Sequence, residues 1–183
     1  MQFSGIRRLV VLTGGPGGGK TTLVEALAAR GFRTVGEAGR AVIRAEEARG
    51  GTALPWGDRA AFAARMAERD EAAYRAALEG EGVVIFDRGL PDTLGYLSLC
   101  GLPEPQALLR AVRRCRYRSP VFLAPFWPAI FSGDAERRQD AAETAETAHV
   151  MRRTYEGLGY EVIDLPLAPV AERVRFLRQS LGV

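Results

Sequence analysis

Apolar residues recur along the chain in two rhythms. Residues 6–13 (IRRLVVLT) form a short apolar run that ends in glycines, and VVIFD at 83–87 and VFLA at 121–124 are similarly continuous. Unbroken runs of this length mark strands buried on both faces, as in parallel sheets. FRTVGE and YEVIDL read as two further strands. Between them the period changes to that of a helix. After Lys20, Leu23, Leu27 and Ala28 fall at helical spacing, and Gly31 is the stop. A second helix from about Ala38 to Arg49 ends at Gly50-Gly51. Asp58 is placed to cap a long alanine-rich helix reaching Gly80, with Phe62, Met66, Ala73 and Ala77 near one face. Further helices are expected around 92–99, 104–116, 138–157 and 169–181. Alternating strands and helices predict an α/β sandwich with a parallel sheet. No repeat, low-complexity tract or linker interrupts the pattern, so 1–183 reads as a single domain. The stretch PFWPAIFSGDAERRQD follows neither rhythm, and its part 126–138 reads as a lid.

Composition narrows the class. Apolar residues make up 47% of the chain and charged residues 26%, which excludes disorder, collagen and a disulfide scaffold. No apolar run approaches the ~18 residues of a spanning helix. The first residues are too short in apolar content for a signal-peptide core, and the expected location is cytoplasmic. Cys100 and Cys115 form no paired motif and read as reduced thiols. The net charge is +3, but residues 1–90 hold 13 cations and 11 acids, and residues 91–183 hold 12 and 11. So even a spread argues against a nucleic-acid partner. Arg110, Arg113, Arg114, Arg116 and Arg118 do cluster. A solvated face comes first for them, then a surface for an anionic acceptor or peripheral lipid headgroups, and last a nucleic-acid contact. His149 reads as a surface residue of its helix.

One of the 25 cations is a lysine, and it falls in the chain's clearest motif. Gly14-Gly15-Pro16-Gly17-Gly18-Gly19-Lys20-Thr21 fits G-x-x-x-x-G-K-[ST], after an apolar strand and at the opening of a helix. Glycines let backbone N–H groups turn inward around phosphates, and the helix start adds its positive dipole end. Lys20 is expected to bridge the β- and γ-phosphates of ATP from a solvated position. Thr21 is expected to hold Mg²⁺, and Thr22 to donate to the α-phosphate.

Asp87 ends the strand VVIF and is placed to hold the metal as well. Arg88 follows at once and can grip a phosphate or the acceptor. Glu37 ends the second strand, where such sheets converge on the ligand crevice, and is a candidate base or metal helper. Arg137 and Arg138 precede a helix in the lid, where they could close on the transferring phosphoryl group. Trp56, Phe126, Trp127 and Phe131 are candidates to line an acceptor pocket or to pack the lid.

GGPGGGKTTL, VGEAGRAVI, LPWGDR, VIFDRGLPDTLGY and VFLAPFWPAIFSGDAERR together resemble the predicted ATPases grouped with the ribosylnicotinamide kinase domain. The likeness runs over nearly the whole chain, and the segment from Asp87 to Tyr96 is its most specific part. The same grouping includes an animal GTP- and lipid-binding trafficking protein. Deoxynucleoside kinases are similar more distantly. The resemblance implies a three-layer P-loop NTPase fold of the kinase-like kind, with five parallel strands in the order 2-3-1-4-5. By the likeness to deoxynucleoside kinases, Glu37 would be the base toward the acceptor hydroxyl, Asp87 would serve Mg²⁺, and Arg88 the phosphates or acceptor.

The expected function is transfer of the ATP γ-phosphate to the hydroxyl of a small-molecule acceptor. The alternative is a nucleotide-dependent switch, ATPase or GTPase-like, that reports to a protein or lipid partner. A guanine-reading N-K-x-D cannot exist in a chain without asparagine, which favours adenine.

Overall fold

The computed structural model describes residues 8–130 and 141–183. Five strands, β1 (Leu9–Gly14), β2 (Arg33–Val35), β3 (Val84–Asp87), β4 (Val121–Ala124) and β5 (Val162–Asp164), pair in the order β2-β3-β1-β4-β5. All four pairings are parallel. The helices are α1 (Lys20–Ala28), α2 (Ala38–Arg49), α3 (Arg59–Glu79), α4 (Leu90–Leu99), α5 (Gln106–Arg114), α6 (Ala141–Gly157) and α7 (Val170–Leu181). A short 3₁₀ turn covers Pro128–Ile130. The predicted sandwich, strand order and element sequence are all present. The outer strands are shorter than FRTVGE and YEVIDL suggest, at three residues each. An edge strand pairs on one side only, so less of it is held in the ladder.

The central strands are wholly buried because their side chains alternate between two cores. Leu9 and Val11 of β1, with Val84 and Phe86 of β3, face α3, α4, α5 and α6. Val10 and Leu12, with Ile85, Phe122 and Ala124, face α1 and α7. That is why β1 and β3 read as continuous apolar runs. Asp58 caps α3 as predicted, its Oδ1 accepting from Ala61 N at 2.9 Å. The buried face of α3 carries Phe62, Ala63, Asp70, Tyr74 and Ala77. Asp70 and Tyr74 belong to this face although the apolar pattern did not single them out.

The strands' carboxyl ends set where ligands can approach. β1 closes on β4 at Gly14, whose Cα pairs with Ala124 and whose φ is 122°. A Cβ built on Gly14 would lie 2.3 Å from Ala124 O, a backbone atom that cannot swing away. Gly14→Ala combines that clash with a left-handed backbone, and it should cost about 2–4 kcal/mol. Urea unfolding of the two proteins measures it, and a loss below about 1 kcal/mol would show that β1 and β4 have room to part.

Candidate functional site

The glycine-rich loop joins β1 to α1, and its turn rests on positive φ angles at Gly14, Gly17 and Gly19. Gly19 sits at the N-cap of α1 with φ 71° and no side-chain cap, which leaves the helix's first N–H groups to another acceptor. Thr21 and Thr22 lie exposed on the first turn. Lys20 differs from expectation, being only 4% exposed. Its Nζ donates to Gly14 O at 3.1 Å and Gly15 O at 2.6 Å. The ammonium is thus folded into its own loop because carbonyls there replace water as acceptors.

Arg173 of α7 supports this loop from behind. It is 3% exposed, and its Nη1 donates to Gly18 O at 2.8 Å. Among the described residues its Nε and Nη2 have no hydrogen-bond partner, and burial pulls its pKa down. A Cβ on Gly19 would come within 2.7 Å of that guanidinium. Nothing in the sequence marked Arg173 among the nine arginines after residue 115, since its contact spans 155 positions.

Asp87 is buried at the end of β3, in register with Leu12 of β1. Beside it, Arg88 has φ 71°, a left-handed conformation rare for a residue with a Cβ. Arg88 Nε donates to Glu37 Oε1 at 3.2 Å, and Nη1 to Asp92 Oδ1 at 3.1 Å. Burial opposes its charge, but Glu37, Asp92 and Asp87 outweigh that and hold its pKa above the ordinary range. Glu37 also faces Arg40, with Oε2 3.5 Å from Nε. The structure therefore brings Glu37, Asp87 and Arg88 together at adjoining strand ends.

Asp92 organises this cluster. Its Oδ1 also accepts from Thr13 Oγ1 at 2.6 Å, and its Oδ2 from Gly89 N at 2.9 Å and Tyr155 OH at 2.7 Å. β1, the β3–α4 turn and α6 thus meet on one carboxylate. Asp92 lies inside the most specific segment of the sequence but was assigned no role there, because Thr13 and Tyr155 are 79 and 63 positions away.

Next to the cluster opens a cavity of about 700 Å³. Glu37, Arg88 and Asp92 form one side, and α6 contributes Glu146, Thr147 and Met151. Phe62 and Tyr96 meet edge to face at 5.3 Å, beside Met66 and Ile43. Trp56 stands at the rim, 50% exposed. Phe126 and Trp127 are half-buried and do not line it. Phe131, Arg137 and Arg138 lie outside the described residues.

Asp70 of α3 also lines the cavity and is 5% exposed. Burial first, then the charges of Asp92 and Glu37, raise its pKa well above the ordinary value, with Arg88 opposing. The signal that could have found it is an acid one turn after Met66 and two turns after Phe62, interrupting an apolar stripe.

The arginine cluster is partly used in packing. Arg114 pairs with Glu71 of α3, and Arg116 lies 4.0 Å above the Tyr160 ring, whereas Arg110 and Arg113 are exposed. His149 is exposed on α6, and Cys100 and Cys115 are free thiols. Among the described residues, no helix is long and apolar enough to cross a membrane.

A parallel 2-3-1-4-5 sheet with a glycine cradle between its first strand and helix defines a P-loop NTPase of the kinase-like kind. The chain belongs to the AAA domain family, whose profile matches residues 9–173. Among solved structures it is similar to the NadR protein in complex with NR, at a TM-score of 0.69 and 20% identity over 97% of this chain and 52% of that one. The chain thus spans about half the length of NadR. Deoxyadenosine kinase from M. mycoides with bound dCMP and dCDP matches at a TM-score of 0.68 and 12% identity, covering 95% of this chain and 98% of that one. Shikimate kinase from Acinetobacter baumannii in complex with shikimate matches at 0.57 and 18% identity, over 96% and 93%. No curated protein sequence matches the chain.

Two predictions follow from the geometry. Asp92→Ala leaves Arg88 one carboxylate short and strands Thr13, Gly89 and Tyr155, so it should cost about 3–5 kcal/mol by chemical unfolding. A loss near 1 kcal/mol would show that the hub is replaceable. The second concerns pH. Asp70 titrates near 3.8 in the unfolded chain and well above that in the fold, so the native state holds an extra proton between the two values. Stability present below the lower value is lost as pH rises through the higher one. The Asp70→Asn variant cannot ionise, so its lead in Tm over wild type should widen from about pH 4 upward. A pH-independent gap would refute this.

Proposed function

We propose that the protein is a kinase that transfers the γ-phosphate of ATP to a hydroxyl of a small molecule seated in the cavity beside Arg88. The observation that carries this reading is that cavity. It shares Glu37, Arg88 and Asp92 with the strand ends next to the phosphate cradle, and Thr13, bonded to Asp92, directly precedes Gly14. A switch needs no such pocket beside its phosphate cradle.

On this reading the backbone N–H groups of residues 14–19 and the start of α1 cradle the phosphates of ATP. Lys20 swings from its loop carbonyls to the β- and γ-phosphates, and Thr22 donates to the α-phosphate. Thr21 and Asp87 offer the hard oxygen donors that suit Mg²⁺, one on an exposed helix turn and the other at a buried strand end. When bound, the metal neutralises charge on the phosphate oxygens. The acceptor oxygen forms its bond to the γ-phosphorus as the bond to the leaving ADP oxygen breaks. Glu37, oriented by Arg88 and Arg40, takes the acceptor's proton. In a loose transition state the hydroxyl is deprotonated late, so the carboxylate serves chiefly to orient the acceptor oxygen. Arg88 stays charged and supplies positive potential between acceptor and phosphate. Arg137 and Arg138 are assigned to closure over the γ-phosphate, and the whole chain to one domain.

The test is consumption of labelled ATP by wild type and Lys20→Ala against nucleosides, vitamins, sugars and other small alcohols. At least one acceptor should raise consumption well above the rate without acceptor and appear as its phosphate ester. Lys20→Ala should lower that rate roughly a hundredfold or more, as for other lost electrostatic contacts to a transition state. If no small acceptor raises the rate, while a protein or lipid binds only the ATP form, the switch reading replaces this one.

A further inference from the structure

Each acid lining the cavity can be followed to its partners. Glu37 faces Arg88 and Arg40, Asp92 accepts four hydrogen bonds, and Glu146 pairs with Arg153 at 3.2 Å. Asp70 is different: among the described residues its carboxyl has no hydrogen bond or ion pair, although the residue is only 5% exposed and lines the cavity. Its oxygens keep access only to the cavity, and burial together with the charges of Asp92 and Glu37 disfavours its ionised form, so a carboxyl at such a place does not serve packing. It lies on α3 one turn from Met66 and two from Phe62, on a wall otherwise apolar and aromatic.

We propose that Asp70 reads the acceptor's ring. Its carboxyl takes a two-point hydrogen bond with the edge of a planar ring seated against Phe62, Tyr96 and Trp56, while the acceptor hydroxyl points toward Glu37 and Arg88. The acceptor class is therefore an uncharged ring alcohol with an N–H donor beside an acceptor, an amide or amidine edge. Burial and the neighbouring acids favour the protonated carboxyl, which presents one donor and one acceptor side by side and complements such an edge. The same acids disfavour an anionic acceptor. An analogue lacking the edge would leave Asp70 unpaired, the situation in which polar pockets discriminate most strongly.

This inference rests on the kinase reading for the position of the hydroxyl, so it is tested by binding without ATP. Adenosine and cytidine are titrated calorimetrically into the full chain alongside purine riboside and pyrimidin-2-one riboside, which lack the exocyclic amino group. At least one amino-bearing nucleoside should bind at least about tenfold more tightly than its analogue. Asp70→Leu should abolish that preference and raise the Tm of the ligand-free protein, because it removes a largely desolvated carboxyl that faces the charges of Asp92 and Glu37. Asp70→Asn, whose amide offers the same donor and acceptor, should keep most of the preference. Should the leucine variant not fold, Asp70→Ala carries the same expectation for preference. The proposal is overturned if neither amino-bearing nucleoside is preferred, if Asp70→Leu or Asp70→Ala retains the preference, or if Asp70→Asn lowers the Tm as a structural aspartate would. A preference that depends on Asp70 without transfer from ATP would keep this assignment and remove the kinase. Transfer to an alcohol without such an edge, indifferent to Asp70→Leu, would do the reverse.

Discussion

The carboxylate of Asp92 is the interaction on which the site's geometry depends. It accepts from Thr13 at the end of β1, from Gly89 and Arg88 in the turn after β3, and from Tyr155 of α6. Three elements far apart in sequence are thereby referred to two oxygen atoms. Arg88 holds a left-handed backbone that costs on the order of 1 kcal/mol or more. That conformation persists because its side chain is gripped by Asp92 and Glu37 while its N–H donates to Leu12 O at 2.9 Å. In a low-dielectric setting a satisfied network of this kind is rigid, and its loss is expensive.

Rigidity at that point has a consequence on both sides of the sheet's carboxyl edge. Thr13 is tied to Asp92 immediately before the cradle begins, and Gly14 is pressed against Ala124 of β4. The cradle therefore starts from a fixed origin, with Arg173 bonded to Gly18 O from the opposite layer. On the other side, Glu37 and Arg88 project into the cavity from the same framework. A shared framework thus fixes the cradle and the charged side chains of the cavity relative to one another.

Local signals explain what the sequence made legible. The cradle is contiguous, flanked by a strand and a helix, and its glycines are required by backbone geometry, so residues 14–21 could be read directly. The buried strands were equally plain, because Leu9–Leu12 and Val84–Phe86 fill two cores at once. Glu37, Asp87 and Arg88 could be placed because strand ends converge in such a sheet. Long-range pairings were not legible. Tyr155 reaches Asp92 across 63 positions and Arg173 reaches Gly18 across 155. Lys20 was placed in water because a lysine's default is solvation, and only the folded loop reveals Gly14 O and Gly15 O as its acceptors. The aromatic wall of the cavity was half legible, with Trp56 on the cavity and Phe126 and Trp127 away from it.

Buried polar groups in this chain fall into two kinds, and the difference separates scaffold from recognition. Asp92 is saturated: every acceptor direction it needs is met within the fold, so it stabilises whether or not anything is bound. Among the described residues Asp70, buried to the same degree, meets no donor and opens only onto the cavity, and Arg173 spends one nitrogen on Gly18 O while Nε and Nη2 go unmet. Groups of the second kind lower stability in the ligand-free protein, and natural chains sit close enough to their stability threshold that such costs are not carried idly. Their positions are informative for that reason. Arg173 stands against the cradle and Asp70 against the cavity, one on each side of the framework set by Asp92. The chain has placed its saturated carboxylate where geometry must not change, and its unsaturated one on the wall of the cavity, where contacts with a small molecule can be gained.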